Sequence, residues 1–312
     1  RGAIMTSAIG IVLALSLVVL TGFGGQTSLA QMAFAGVAAF TLSKLAIEWS
    51  IPFPLAPIGA SLVAMVFGVL VGLPALRVRG TNLAIITLAG GVAITEFVFK
   101  NPKYVGDAST GGAQVPNPQL FGWDVGLILG DHASRPIFGI FVVVVAALLA
   151  LAVANIRRSS SGRQMLAARS NERAASSAGI DVARVKLQVF AVSSFIAGLG
   201  GCLIAYRFGS VSDSSFGTIA SLTALAVAYL GGITCVSGAV TAGVLATSGV
   251  AFYGLTQATG SVGQWEALIG GVLLIVMAVT NPEGIAGGIR ARLAARAISD
   301  NAASINAAGG GF

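Results

Sequence analysis

Charge is what this chain has least of. Lys, Arg, Asp and Glu make up 9% of its 312 residues, against roughly a quarter in soluble domains, which excludes an ordinary water-facing globular surface. Histidine occurs once, at His132, and cysteine twice, at Cys202 and Cys235, with no CxxC spacing. Zinc sites need clustered ligands and disulfide frameworks need paired thiols, so neither a metal site nor a bridge is indicated. The two thiols read as small buried side chains. A GxxxxGK[ST] phosphate loop is absent, so the chain does not hydrolyse ATP itself. No Ser/His or paired-Asp set shares an apolar run, which removes the usual means of intramembrane catalysis. The chain is not expected to be an enzyme, to have catalytic residues or to hold a cofactor of its own.

What is present is apolar. Hydrophobic residues make up 55% of the chain, glycine occurs 42 times and the mean hydropathy is +0.90. Long apolar runs studded with small residues suit helices that approach closely in a bilayer. A crossing needs roughly 20 apolar residues, and such windows lie at Ile4 to Leu20, Met32 to Ile47, Leu55 to Leu76, Leu83 to Phe99 and Pro136 to Ala154. Further windows lie at Leu187 to Tyr206, Thr218 to Ile233, Ala239 to Leu255 and Trp265 to Thr280. The runs are too long and uniform for strands. The fold class is therefore all-α, a polytopic transmembrane bundle of about 8–10 segments. Residues 1–285 form the membrane domain and residues 286–312 a low-complexity cytoplasmic tail. Ile4 to Leu20 lacks the small-residue cleavage site of a secretory leader and is expected to be a span.

Basic residues set the orientation. Seven of the 18 Lys and Arg residues fall between Arg157 and Lys186, so that interval is expected to be cytoplasmic. Alternation then puts Arg77, Arg79 and the tail arginines Arg290, Arg292 and Arg296 inside, and Lys100 to Arg135 outside. The net charge of +7 thus reflects topology and contact with membrane lipid rather than nucleic acid. Lys44 with Glu48 and Glu96 with Lys100 form i, i+4 pairs near span ends, as interface residues do.

Within the cytoplasmic interval, Gly162 to Ala178 reads as one short helix ended by Gly179, which takes a left-handed conformation without steric cost. The stretch from Gly162 through Arg163, Arg169, Glu172, Arg173, Ala174 and Ala175 to Gly179, running on to Arg184, Lys186 and Phe190, resembles the coupling loop of ABC permeases for branched-chain amino acids. Three other stretches agree in order: Gly25-Gln26-Thr27-Ser28-Leu29 with Phe34 and Gly36; Leu76-Arg77-Val78-Arg79-Gly80 into Ile85-Ile86-Thr87-Leu88-Ala89; and Leu230-Gly231-Gly232 leading to Gly238. The importer signature has Glu-Ala-Ala with Gly six residues after the Glu. Here Arg173 stands in the Glu place and Glu172 lies one position early.

The resemblance implies a permease subunit in a bacterial plasma (inner) membrane. Its partners would be two cytoplasmic ABC ATPase subunits, which hold ATP and Mg, a second permease subunit and an extracytoplasmic substrate-binding protein docking on the 100–135 side. The coupling residues would be Gly162, Arg163, Arg169, Glu172, Arg173, Ala174, Ala175 and Gly179. The solute would be a branched-chain amino acid or a similar small polar molecule, with urea or a short-chain amide as relatives. A stand-alone channel or gradient-driven transporter is the competing class.

Transport needs polar groups inside the bundle, and discontinuous helices supply them. Three places qualify. Gly22, Gly24 and Gly25 precede Gln26, Thr27, Ser28 and Gln31; Arg79 to Asn82 introduce a run carrying Thr87; and Gly231 and Gly232 precede Thr234, Ser237 and Gly238. A cytoplasmic turn is the alternative for the first two, and close helix packing for the third. Gln26, Thr27, Ser28, Asn82, Thr87, Thr223, Gly231 and Gly232 are the expected path residues.

Overall fold

The computed structural model describes residues 2–76, 78, 81–101, 113–120, 123–124, 128–129, 132–133, 136–246, 249–259, 271–272, 275–276 and 284–288. Among the described residues the long apolar runs become helix, because a backbone out of water satisfies its polar groups most simply within one segment. In order these are α1 (Gly2–Phe23), whose last turn from Val18 is π-helical, α2 (Gln31–Ile47), α3 (Leu55–Ala75), and α4 (Thr81–Ile94), which continues as a π-turn over Thr95–Phe99. Then follow α5 (Pro136–Arg158), α6 (Ser160–Ser170), α7 (Glu172–Ser177), α8 (Val182–Phe208), α9 (Thr218–Gly231), α10 (Val236–Val244) and α11 (Val250–Thr259).

Six described helices are long and apolar enough to cross a membrane: Gly2–Phe23, Leu55–Pro74, Asn82–Phe99, Ile137–Arg158, Val182–Phe208 and Asp213–Gly231. The chain is a multi-pass membrane protein. α2 is shorter and almost wholly buried. The expected span from Ala239 to Leu255 is instead two helices. Gly249 N donates to Ala246 O at 2.7 Å and Val250 N to Ser7 Oγ at 2.9 Å, so a tight turn and a side-chain cap replace the helical ladder. The Trp265 to Thr280 window, Arg77, Arg79, Gly80 and the tail arginines lie outside the described residues, apart from helical pairs at 271–272 and 275–276.

α8 is the spine. It packs against α3, α2 and α1, and 72% of its apolar window is buried, against 22% for α5. Small residues make this approach possible. A Cβ on Gly201 would strike the carbonyl of Ala35, and one on Gly198 would lie 3.0 Å from the Cα of Ser61. The outward faces of α3 and α5, with Leu62, Val66 and Leu70, and Ile140, Leu148 and Leu151, are exposed and apolar, as lipid-facing surface should be. Cys202 and Cys235 are free and buried.

The interval between α4 and α5 contributes short strand pairs that sequence periodicity did not signal. Ala113–Gln114 pairs antiparallel with Ser210–Val211 beyond α8, Gln119–Leu120 with Trp123–Asp124, and Ile128–Leu129 with His132–Ala133. Ser43 of α2 donates to the carbonyl of Gln114 at 2.5 Å, tying this segment to the bundle. Lys44 meets Glu48 at 3.9 Å and Lys100 meets Glu96 at 2.6 Å, as the spacing predicts.

Candidate functional site

The polar interior is built around a break in the first helical hairpin. The π-helical end of α1 displaces its hydrogen bonds: Gly24 N donates to Val19 O and Gln26 N to Leu20 O. Gly25 turns the chain at φ 66°, a conformation that glycine adopts without Cβ strain. Residues 26–30 are not helical, yet Gln26, Ser28 and Ala30 are buried. A buried backbone must find partners, and here side chains from three helices and from Ser28 itself supply them. Thr21 Oγ1 donates to Gln26 O at 3.1 Å, and Leu29 N donates to Thr87 Oγ1 of α4 at 3.1 Å. Ala30 N donates to Ser28 Oγ, and Met32 N to Ser221 Oγ of α9, each at 3.2 Å. Gln31 Nε2 donates to Ser193 Oγ of α8 at 2.7 Å, and Ser193 in turn donates to Ser16 O of α1 at 2.8 Å.

A second break adjoins the first. α9 ends at Gly231, and Gly232 turns at φ 111°. The Gly231 carbonyl accepts from Thr241 Oγ1 at 2.7 Å, while Gly238 packs so closely that a Cβ on it would strike Gly232 O. A Cβ on Gly22 would strike Ile233 O. The two glycine-rich breaks therefore meet at Gly22 and Ile233.

The basic loop reaches this junction. It holds two helices rather than the single one expected over Gly162 to Ala178. Asn171 adopts an extended conformation and its Oδ1 accepts from Arg173 N at 3.0 Å and Ala174 N at 3.2 Å, ending α6 and capping α7. Ser159 caps α6 through Gly162 N, and Asp181 caps α8 through Arg184 N. Gly179 takes φ 82°, as its position implies. Met165, Ala168 and Ala175 are buried. Lys186 Nζ of α8 pairs with Glu172 Oε1 at 2.6 Å, with the side chains 11% and 29% exposed. Arg157 lies 6.0 Å above the Phe23 ring, within cation–π range.

Arg169 makes the junction. Its Nη1 donates to the carbonyl of Gly22, and a Cβ on Gly25 would meet the Arg169 side chain at 2.8 Å. Of the other loop residues singled out by sequence, Arg163, Arg173 and Ala174 are exposed, and Gly162 is buried against Ile156 and Arg157.

Gln26, Ser28 and Thr87 thus come together, and Gly231 and Gly232 adjoin them through Ile233. Thr27 is half-buried. Asn82 and Thr223 are exposed and lie outside the cluster, the Thr223 hydroxyl being bonded to Ile219 O within its own helix. Ser16, Ser193 and Ser221 were not anticipated; the available signal was a single hydroxyl inside an apolar run. Among the described residues no group of three or more His, Cys, Asp or Glu could hold a metal ion. At the far end of α8, a cavity of about 660 Å³ opens between residues 50–54 and 116–119 beside Tyr206.

An apolar bundle with two adjoining helix breaks and a basic loop bound to them is the frame in which the comparisons with known proteins stand. The family model described as "Branched-chain amino acid transport system / permease component" matches residues 1–278. The chain belongs to that permease family. It is 31% identical over 291 residues to the high-affinity branched-chain amino acid transport system permease protein LivM of Salmonella typhimurium, covering 88% of this chain and 67% of that one. The Escherichia coli K12 LivM gives the same identity over 292 residues, with the same coverage. LivH of Salmonella typhimurium, also a branched-chain amino acid permease protein by name, is 28% identical over 234 residues, covering 74% of this chain and 73% of its own. No solved structure matches significantly.

Proposed function

We propose that this member of the permease family is one of two membrane subunits of an ATP-driven ABC importer for branched-chain amino acids. The observation that carries the reading is the bond between Arg169 of the basic loop and Gly22 at the helix break, in a chain matched over residues 1–278 by the family. A loop outside the bundle is thereby tied to the place where polar groups interrupt it. In this reading the loop is cytoplasmic and two ATPase subunits, which hold ATP and Mg, press on its exposed face at Arg163, Arg173 and Ala174. Residues 100–135 face outward, in the bacterial inner membrane, toward a substrate-binding protein. The polar cluster around Gln26, Ser28, Gln31 and Thr87 lies on the solute's route, with the break at Gly231 and Gly232 beside it. The second permease subunit completes that route.

The test is purification in mild detergent, identification of co-eluting chains, and an ATPase assay with Arg169, Glu172 and Arg173 together replaced by alanine. Co-elution of an ATPase and a second permease, with hydrolysis uncoupled from uptake by the triple change, is the expected result. A chain that elutes alone and moves solute in vesicles without ATP would overturn the reading in favour of a channel or gradient-driven transporter.

A further inference from the structure

Hydrogen bonding among the described residues leaves two groups at the first break without partners. Among the described residues, the side-chain oxygens of Gln26 and Gln31, on residues 5% and 2% exposed, have no hydrogen-bond partner. The orientation of the Gln31 amide follows from its neighbours. The single hydroxyl proton of Ser193 goes to Ser16 O, so Ser193 Oγ accepts from Gln31; this puts Nε2 toward Ser193 and turns Oε1 away from it. A buried acceptor left unpaired bears its full desolvation penalty. Such an arrangement is explained when another state of the molecule brings a donor.

The chemistry of the cluster narrows that donor. Its observed hydrogen bonds use only hydroxyls, carboxamides and backbone groups. Two oxygens that only accept call for a group that only donates, and an ammonium offers three N–H bonds and no lone pair. Neutral carboxamides hold a cation more loosely than carboxylates would, which suits a site that must release its ligand.

We propose that the Gln26 and Gln31 side-chain oxygens form a transit site for the ammonium group of a zwitterionic α-amino acid, closed to solvent in this conformation. The site rests on the importer reading above and gives it a point of substrate contact.

The test uses the complete importer, purified with its partners and reconstituted in vesicles. L-leucine moved per ATP hydrolysed is measured for the native chain and for Gln31→Leu, Gln26→Met and Gln31→Glu, with the melting temperature of each complex. In the two apolar variants the ratio is expected to fall on the order of tenfold or more, the size of a lost hydrogen bond to a charged group. Gln31→Glu keeps an acceptor oxygen for the ammonium but loses the donor to Ser193 and releases the cation more slowly, so its ratio falls less than that of Gln31→Leu without reaching the native value. Gln26→Met melts no lower than the native complex, because an unpaired acceptor has gone. 4-Methylpentanoate, which is leucine without its ammonium, is not carried by the native complex. Ratios within twofold of native in both apolar variants would overturn the site and leave the oxygens to a buried water. Loss in all three variants with a lowered melting temperature would overturn it in favour of a structural role. Native vesicles that hydrolyse ATP but move no leucine, isoleucine or valine would remove the substrate reading and the site with it, a pattern distinct from normal uptake in native and variants alike.

Discussion

The guanidinium of Arg169 donates a hydrogen bond to the carbonyl of Gly22, joining the basic loop to the π-helical end of α1. Gly25, at the same break, carries no side chain and so leaves room for the arginine's methylenes. Two arginines four residues apart in one loop therefore face different tasks. Both are exposed, but Arg169 reaches the Gly22 carbonyl with its guanidinium, whereas Arg173 lies on α7. Replacing Arg173 by alanine should weaken retention of the ATPase on the purified complex. Arg169→Ala should retain the ATPase but lower solute moved per ATP, with partial recovery in Arg169→Lys. Co-purification yields and coupled uptake assays in vesicles check both. Equal behaviour of the two variants would sink the division.

Close packing of α8 makes a sharp contrast between two of its glycines. Gly201 lies against the Ala35 backbone, so Gly201→Val should overpack the core and cost about 1–3 kcal/mol or more, read as reduced membrane abundance and a lower melting temperature in detergent. Gly209 has nothing among the described residues within 4 Å of its missing Cβ and ends the helix at φ 66°. Gly209→Ala should cost only the left-handed conformation, about 1 kcal/mol.

Asn171 should tolerate replacement only by another capping residue. Asn171→Ala removes the acceptor for Arg173 N and Ala174 N and should cost about 1 kcal/mol of local stability. Faster limited proteolysis between α6 and α7 is the expected readout, with Asn171→Asp close to native.

The Lys186 and Glu172 pair links the loop to the spine at 2.6 Å and is more sheltered than a surface bridge. Its coupling in a double-mutant cycle should exceed the few tenths of a kcal/mol typical of exposed pairs. The exchanged pair, Glu172→Lys with Lys186→Glu, should recover part of the stability that either single reversal loses.

Both native thiols are buried, which provides a silent background for mapping sidedness. Cysteines placed at Ser177 on α7 and at Ser214 beyond α8, both exposed, should react with a membrane-impermeant maleimide from opposite sides of a sealed vesicle. Labelling of both from the same side would overturn the topology.

Much of the bundle was legible because apolar runs of roughly 20 residues have few alternatives. Span ends were less so: α8 runs from Val182 to Phe208, beyond the Leu187 to Tyr206 window, since capping by Asp181 and the αL turn at Gly209, rather than hydropathy, end it. Averaging hid the turn at Ala246 to Gly249, where a cap from Ser7 decides the outcome. Asn171 sits among good helix formers, and its break depends on side-chain bonds to the next two amides but one. The polar cluster was half visible. Gln26, Ser28 and Thr87 stood out beside glycines or span starts, but Ser193 meets Gln31 from 162 positions away and Ser221 meets Met32 from 189 away, and such pairings leave no local trace.

Ser7 accepts from Val250 N, and its helix interlocks with α10 where Gly10 faces Ala246 and Gly243 faces Ile11. The earliest described span thus finds its partners among the latest. During synthesis α1 enters the bilayer long before α10 exists, and its Ser7 hydroxyl and small-residue face wait until some 240 further residues have emerged. Assembly of this bundle is therefore a closure rather than a sequential stacking. Its slow step should be the docking of the carboxyl half onto α1, where contacts are most distant along the chain.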